Sequence, residues 1–216
     1  MLITALLSAA LLSTAGPTIT NPYLPMPPGL RMVYREGAQR DVVTVTHATR
    51  RMANGVEARV VHDVVTERGR VTEITNDYYA QDASGNVWYL GEATAEYEHG
   101  KVVSREGSFE AGVDGAQAGI IMPAHPRVGM RYRQEQYKGH AEDRAKIVSL
   151  DERVRVPLRR YRHTMMTLET SPLEPDVPEA KFYARGVGVV LAVDLSGGTD
   201  RERLVKVTGG GRTRRG

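Results

Sequence analysis

Short runs of alternating apolar and polar residues follow one another from about Arg31 to Thr208, separated by turns that contain Gly, Asn and Asp. Alternation at a period of two places one set of side chains on a buried sheet face and the other set in water. No stretch longer than a turn or two combines helical apolar spacing with a cap. The pattern therefore predicts an all-β domain with little helix.

The turn residues indicate how the strands pair. Asn54-Gly55 separates two alternating runs and fits the positive-φ positions of a hairpin turn, and Asp82–Asn86 and His99-Gly100 mark later reversals. Consecutive hairpins form a curved antiparallel meander. A meander this long must curl into a barrel, a half-barrel or a sandwich to cover its apolar face. In the strand after Asn54-Gly55 we expect His62 on the more apolar face and Asp63 on the opposite one.

Three regions interrupt the regular alternation. Residues Ala111–Gly129 contain four glycines and two prolines around Ile120-Ile121-Met122, which predicts a long irregular loop. Val154–Thr170 is expected to be one long strand despite Pro157. Lys181–Asp194 is expected to be another, bent at its glycines.

The ends of the chain differ from the middle. Residues 1–15 combine an apolar run with small residues before Ala15, which is typical of a secretory signal peptide. Residues 16–30 form a proline-rich extended strap, 31–208 a single β-rich domain, and 209–216 a flexible basic tail. We therefore expect a secreted or extracytoplasmic protein whose mature form has no transmembrane segment.

Composition narrows the possible functions. The net charge of +3 is matched by the three arginines of the tail, so the domain itself is neutral and does not have the basic face of a nucleic-acid-binding protein. The chain has no cysteine, which excludes disulfides, thiolate zinc sites and cysteine-linked lipid anchors. The six histidines have no metal-ligand spacing, and we predict neither a metal nor a cofactor.

One aromatic hairpin resembles a known family. Tyr78-Tyr79-Ala80-Gln81-Asp82 is followed by Gly85-Asn86-Val87-Trp88-Tyr89-Leu90-Gly91-Glu92. This motif is similar to that of a family of exported bacterial proteins, several of them from actinobacteria. Further segments that match in order include Gly119–Ala124 and Phe182–Gly188, so the resemblance covers most of the mature chain. It implies a β-rich fold and export, and it brings no activity, cofactor or catalytic residue.

The same hairpin carries the candidate binding residues. Asp77 and Tyr79 alternate onto one face while Tyr78 takes the other, and Trp88 opposes Tyr89. If one of these faces is concave, aromatic walls with one or two carboxyl groups form a small-molecule pocket. The alternative is an ordinary aromatic core. The predicted ligand-binding set is Tyr79, Trp88, Tyr89, Ile120, Ile121, Met122 and Tyr132, with Ile120–Met122 as an apolar flap.

The candidates for proton transfer are few. Asp77 and Glu92 are carboxyl groups beside the aromatic residues, and His140 and Glu142 would share a face if they lie on a strand. There is no Gly-x-Ser-x-Gly elbow and no phosphate-binding glycine loop. The sequence therefore favours a binding protein of the cell envelope that holds an apolar or amphipathic small molecule. The alternatives are an acid–base enzyme, such as an isomerase, cyclase or lyase, and a protein–protein interaction module that uses a sheet edge.

Overall fold

A computed structural model of the chain describes residues 15–198 and 201–210. Nearly all of the predicted signal peptide (1–15) and most of the predicted tail (209–216) lie outside the described residues. Within them the protein is all-β, as predicted, and has no helix, so none could cross a membrane. The strands in chain order are β1 Arg31–Glu36, β2 Gln39–Arg51, β3 Glu57–Glu67, β4 Arg70–Gln81, β5 Val87–Glu98, β6 Lys101–Ser104, β7 Phe109–Glu110, β8 Gln117–Met122, β9 Arg131–Arg133, β10 Glu135–Gln136, β11 Arg144–Arg155, β12 Arg160–Thr170, β13 Glu179–Ala184, β14 Gly188–Asp194 and β15 Arg201–Thr208.

The strands form one antiparallel sheet that curls into a nearly closed barrel. Its order is β10-β8-β5-β4-β3-β2-β1-β15-β14-β13-β12-β11-β9, with β6 and β7 also paired to β5. Two meanders, β1–β5 and β11–β15, are joined where β1 pairs with β15. The predicted hairpins, including β2 with β3, are confirmed.

One short segment brings the two ends of the sheet together. Its first part, β9, pairs with β11, and its second part, β10, pairs with β8. At the junction, the backbone N–H groups of Gln134 and Glu135 both donate to the carbonyl of Asp143, at 2.8 and 3.2 Å. Gly119 in β8 permits this approach, because a Cβ atom there would lie 2.1 Å from the Gln134 carbonyl oxygen. Residues 131–136 therefore pair first with β11 and then with β8, and in this way they connect the two edges of the sheet.

Several predicted elements are wrong. Residues 117–122 are not loop but strand β8, hydrogen-bonded to β5 on one side and β10 on the other, so Ile120–Met122 are not a flap. Val154–Thr170 is not one strand, because the chain turns at Pro157 between β11 and β12. Lys181–Asp194 likewise divides into β13 and β14, where Gly186 takes a positive φ of 72°. The β8 error arose because glycine and proline content does not report long-range pairing, whereas Pro157 and Gly186 marked turns that were interpreted as irregularities within one strand.

The strap closes one end of the barrel. Its apolar side chains, including Ile19, Tyr23, Met26 and Leu30, join the main core. Asn21 fixes the strap: its Nδ2 donates to the carbonyls of Gly85 and Pro123, at 2.9 and 3.2 Å, and its Oδ1 accepts from the N–H of Tyr23 at 2.9 Å. The predicted extended strap therefore also forms part of the interior wall.

Candidate functional site

A cavity of about 250 Å³ lies inside the barrel, beneath the strap. Its lining has two parts. The apolar part includes Leu24, Met26, Leu30, Met32, Val45 and Val61, and the polar part includes Asp41, Asp63, Asp77, Tyr79, Lys181 and Glu202. Val45 exchanges backbone hydrogen bonds with Gly29 and Leu30 of the strap, and Asp41 lies four residues away along β2. The cavity therefore changes from apolar to acidic along the strands.

Strand alternation places the acidic side chains inside. On β2, Asp41 shares the interior face with Val43 and Val45, and on β3, Asp63 shares it with Val61. The expected face of Asp63 is therefore wrong: His62 points away from the cavity, and its Nδ1 lies 2.9 Å from Asn76 Oδ1. Valines occur on both faces of β3, so the number of apolar residues on each face did not show which face is interior.

Asp41 and Asp63 form a buried carboxyl pair. Asp41 is 7% exposed, and within the described part of the chain no amide, hydroxyl or ammonium group donates to Asp41 Oδ1 or Asp63 Oδ1, which leaves the contact between the two carboxyl groups themselves. Burial, followed by the hydrogen bond and charge of Asp63, raises the pKa of Asp41 to about 11. Asp41 therefore keeps its proton at neutral pH. The nearby Glu202 carboxyl has its pKa raised to about 7, by burial first and then by the charge of Asp63.

A second group of acids surrounds the hydroxyl of Tyr89. Tyr89 donates to Asp77 Oδ1 at 2.6 Å, and its oxygen lies 3.2 Å from Glu92 Oε2. Because a phenol has one proton, Tyr89 shares its hydroxyl as donor between the two carboxyl groups, and the shorter contact with Asp77 is the stronger. Burial and then the charge of Asp77 raise the pKa of Glu92 to about 8. The pKa of Asp77 rises to about 7, chiefly by burial.

A bulge in β5 makes this arrangement possible. Asp77 pairs directly with Glu92, yet Tyr79 pairs with Tyr89, so one extra residue lies between the two pairs. Regular alternation would place Tyr89 and Glu92 on opposite faces. Gly91 takes a φ of 142° at the bulge, and a Cβ atom there would lie 2.2 Å from the carbonyl oxygen of Phe109. The Tyr89 ring stacks on Tyr79 with centroids 4.9 Å apart.

Lys181 balances a different pair of acids. Its Nζ lies 3.1 Å from Glu169 and 3.0 Å from Glu179. Burial opposes ionisation of Glu169, but the charge of Lys181 and the hydroxyl of Thr167 hold the pKa of Glu169 below its usual range. The hydroxyl of Tyr183 also donates to Glu169 Oε1, at 3.0 Å. The lysine charge is therefore shared with acids other than Asp41, Asp63 and Asp77.

The structure separates the predicted ligand-binding residues. Tyr79 and Ile121 line the cavity, and Tyr89 lies behind Tyr79. Trp88 packs on the outer side of the sheet in a second core, where its indole donates to Asp82 Oδ2 at 2.8 Å. Ile120 packs against that second core, whereas Met122 is fully buried in the main core. Tyr79 and Trp88 therefore face opposite sides of the sheet.

The remaining predicted residues lie elsewhere. Tyr132 packs against the main core, and its buried hydroxyl has no hydrogen-bond partner among the described residues. His140 is not on a strand but in an exposed turn, stacked on Tyr137 at 4.3 Å. Glu142 accepts from the N–H of Gly139 at 2.9 Å and stabilises that turn. Of the four candidates for proton transfer, the structure brings together Asp77 and Glu92 only.

Sequence reasoning missed Asp41, Asp63, Glu202 and Lys181. A signal was available: Asp41 is in phase with Val43 and Val45, which places an acid on the apolar face of a predicted strand. For Glu202 and Lys181 the neighbours come from strands far apart in the sequence. Within the described ranges, no group of three or more acids and histidines has an arrangement that could hold a metal ion.

No protein-family model matches the sequence, and no curated protein matches it. Two solved structures are similar. A candidate exported protein with a YmcC-like fold from Bacteroides fragilis NCTC 9343 has 11% identity and a TM-score of 0.50, over 88% of this chain and 100% of that chain. A candidate lipoprotein from Parabacteroides distasonis ATCC 8503 has 10% identity and a TM-score of 0.47, over 86% of this chain and 98% of that chain. The first likeness supports a YmcC-like fold for this chain.

Proposed function

We propose that this protein is an exported, envelope-associated binding protein that holds a small amphipathic molecule in its interior cavity. One observation carries the proposal: the cavity is apolar beneath the strap and ends at a buried carboxyl pair, Asp41 and Asp63, whose Oδ1 atoms receive no amide, hydroxyl or ammonium donor from the described residues. The proton of Asp41 satisfies only part of the acceptor capacity of the pair, so a ligand that donates to the remainder gains affinity.

The polar group of the ligand is an amine or another hydrogen-bond donor. The acids around the cavity outnumber Lys181, whose charge is already shared by Glu169 and Glu179. An anionic head would lie against Asp41, Asp63 and Asp77, so it is disfavoured. A cavity of about 250 Å³ equals roughly eight water molecules at ~30 Å³ each, which suits a short apolar chain and a small head group.

Export is the other half of the proposal. It rests on the predicted signal peptide and on the resemblance of the Tyr78–Glu92 hairpin to exported bacterial proteins. The name of the similar Bacteroides fragilis protein also refers to export. Fractionation of cells that express the full chain tests this half separately. Protein that stays in the cytoplasm with an uncleaved leader would refute export without affecting the binding proposal.

The binding test uses three ligands with the same chain and different heads: decylamine, decanol and decanoate. Each competes with N-phenyl-1-naphthylamine, a neutral apolar fluorescent probe. We expect decylamine to displace the probe best and decanoate worst, and Asp41→Asn/Asp63→Asn to reduce the preference for decylamine at least tenfold. The matched control is Asp114→Asn/Asp176→Asn, which changes two exposed acids. Equal affinity for the three heads, or the same loss in the control, would refute the proposal.

Native mass spectrometry of the protein secreted by a bacterial host addresses the natural ligand. A mass excess that disappears on denaturation, and that is smaller or absent in Asp41→Asn/Asp63→Asn, is the expected result. An excess retained equally by this variant would place the bound molecule away from the acidic end of the cavity.

A second candidate function is acid–base catalysis, favoured by the contacts of Asp77 and Glu92 with Tyr89. Two carboxyl groups with pKa values of about 7 and 8 can donate and accept protons near neutral pH. Asp77 reaches the cavity, and Glu92 contacts it through Tyr89. Turnover of a bound amphipathic substrate that Asp77→Asn abolishes and Asp41→Asn preserves would support an enzyme. Release of the substrate unchanged would favour a binding protein.

A further inference from the structure

The outer surface of the barrel carries a large basic face. Directly paired residues of antiparallel strands point to the same side of the sheet, so the strand register identifies the outer rows. One row runs Arg40, Arg35, Arg203, Leu191, Phe182, Met166, and the next runs Arg201, Val193, Ala180, Leu168, Lys146, Arg131. The first row is basic at one end and apolar over the rest, and the second has an apolar middle between Arg201 and the Lys146–Arg131 pair. None of the residues in these two rows is acidic.

Like charges face each other directly at the ends of these rows. Arg35 pairs with Arg203 on one side and with Arg40 on the other. Across the strip, Lys146 pairs with Arg131, and Arg144 pairs with Arg133. Directly opposed like charges destabilise a sheet. The fold therefore tolerates repeated repulsion on this face, which an anionic partner would relieve.

The basic residues are largely unneutralised. Among the described residues, Arg35, Arg203, Arg131 and Lys146 make no ion pair, and Arg144 makes a long one of 3.8 Å with Glu142. Arg35, Arg131, Arg133 and Arg203 are exposed. The charges are thus available to a partner.

The strip between the two basic ends is apolar and partly accessible. Leu168, Phe182, Leu191 and Val193 are half-buried on the outer rows, and Met166 lies beside them. A polyanion such as a wall polymer or a nucleic acid would bind best to a continuous row of basic side chains. An apolar strip bordered by the arginines of β15 on one side and by Lys146 and Arg131 on the other instead fits a lipid surface, where phosphates bind the cations and the strip contacts the acyl boundary.

We propose that this outer basic face, formed by β9, β11–β15, β1 and β2, docks on a membrane that contains anionic phospholipid. The proposal is independent of the interior cavity, because the residues concerned point to the other side of the sheet. Docking on this face would leave the strap and the cavity lining uncovered.

Sedimentation with vesicles tests the proposal. The wild-type chain is mixed with vesicles of phosphatidylcholine alone, or with 30% phosphatidylglycerol, at 50 and 500 mM NaCl. We expect binding only to the anionic vesicles, weakened at least tenfold by the higher salt. Arg35→Gln/Arg203→Gln and Arg131→Gln/Lys146→Gln should each reduce binding at least fivefold. The control Arg68→Gln/Arg105→Gln removes two exposed charges elsewhere and should keep binding within twofold.

A separate variant tests the apolar strip. Phe182→Ser/Leu191→Ser should weaken binding to anionic vesicles while leaving binding to heparin, a soluble polyanion, unchanged. Melting curves of every variant show whether it is folded, and removal of opposed arginines should not lower the melting temperature. Equal binding to neutral vesicles, equal losses in the control, or tighter binding to heparin than to anionic vesicles would overturn the proposal. The heparin result would favour a polyanion as the partner.

Discussion

The two faces of this sheet carry opposite kinds of ionisable side chain, acidic inside and basic outside. The interior face brings together Asp41, Asp63 and Asp77, whereas the outer face opposes Arg35 to Arg203 and Lys146 to Arg131. Burial gives the two sets different chemistry: it raises the pKa of Asp41 to about 11 and that of Asp77 to about 7, while the exposed arginines stay charged in water. A domain whose formal charges sum to zero can therefore combine a partly protonated acidic interior with a cationic surface. The formal net charge conceals this difference because it counts every acid as ionised.

The largest expected effect on stability comes from removing Lys181, which forms ion pairs with Glu169 and Glu179. Lys181→Met leaves Glu169 and Glu179 without their cation, and we expect the free energy of unfolding to fall by about 3 kcal/mol, since an unpaired charge in a buried site is costly. Lys146→Met, the matched change on the outer face, should alter it by less than about 0.5 kcal/mol. Urea unfolding at pH 7 measures both. Equal effects would remove the distinction between the faces.

The second prediction concerns pH. Asp77, Glu92, Glu135 and Glu202 all have pKa values raised to about 7 or 8, so the folded state binds more protons than the unfolded state above pH ~4. Their stabilising contribution is complete below that pH and is lost as pH rises through 7 to 8. We expect the free energy of unfolding to fall by at least about 2 kcal/mol between pH 5.5 and 8.5, because each carboxyl group that is protonated only in the folded state contributes ~1.4 kcal/mol per pH unit. Arginine does not titrate there, so a flat profile would argue against a protonated interior.

A third prediction assigns that pH dependence to particular residues. Asp77→Asn/Glu92→Gln should reduce the slope mainly below pH ~7 to 8, because these two carboxyl groups keep their protons there only in the folded state. Asp41→Asn should reduce the slope evenly from pH 5.5 to 8.5, since the pKa of Asp41 is raised to about 11 and the group is protonated when folded but ionised when unfolded throughout this range. Urea unfolding at four pH values from 5.5 to 8.5 compares the variants. An unchanged slope in Asp41→Asn would mean that Asp41 is ionised in the folded protein.

The smallest expected change in stability comes from substitutions on the outer face. Arg35→Gln/Arg203→Gln removes two directly opposed charges, and we expect the free energy of unfolding to rise by about 0.2–1 kcal/mol at low salt. The gain should shrink in 0.5 M NaCl, because exposed charges are screened. Urea unfolding of Arg68→Gln/Arg105→Gln provides the reference. Loss of stability in the first variant would mean that these arginines make stabilising contacts rather than repelling each other.

Prediction from sequence succeeded where the determining contacts are local. The hairpins and the opposite faces of Tyr78 and Tyr79 follow from turn residues and alternation, and the structure confirms them. It failed at β8, where glycine-rich flanks indicated a loop although β5 and β10 supply hydrogen bonds to both edges. The prediction that His140 and Glu142 share a strand face was also wrong, because His140 lies in a turn.

The sequence by itself determined that the chain is a β-meander with alternating faces, because side-chain direction in a strand depends only on position. The tertiary structure decided which face is interior, where the barrel closes and which acids meet. Asp41, Asp63 and Glu202 come from three strands, and the bulge at Gly91 turns Glu92 toward Tyr89. The raised pKa values of Asp41, Glu92 and Glu202 follow from burial, which arises only when the sheet curls and excludes water from one side.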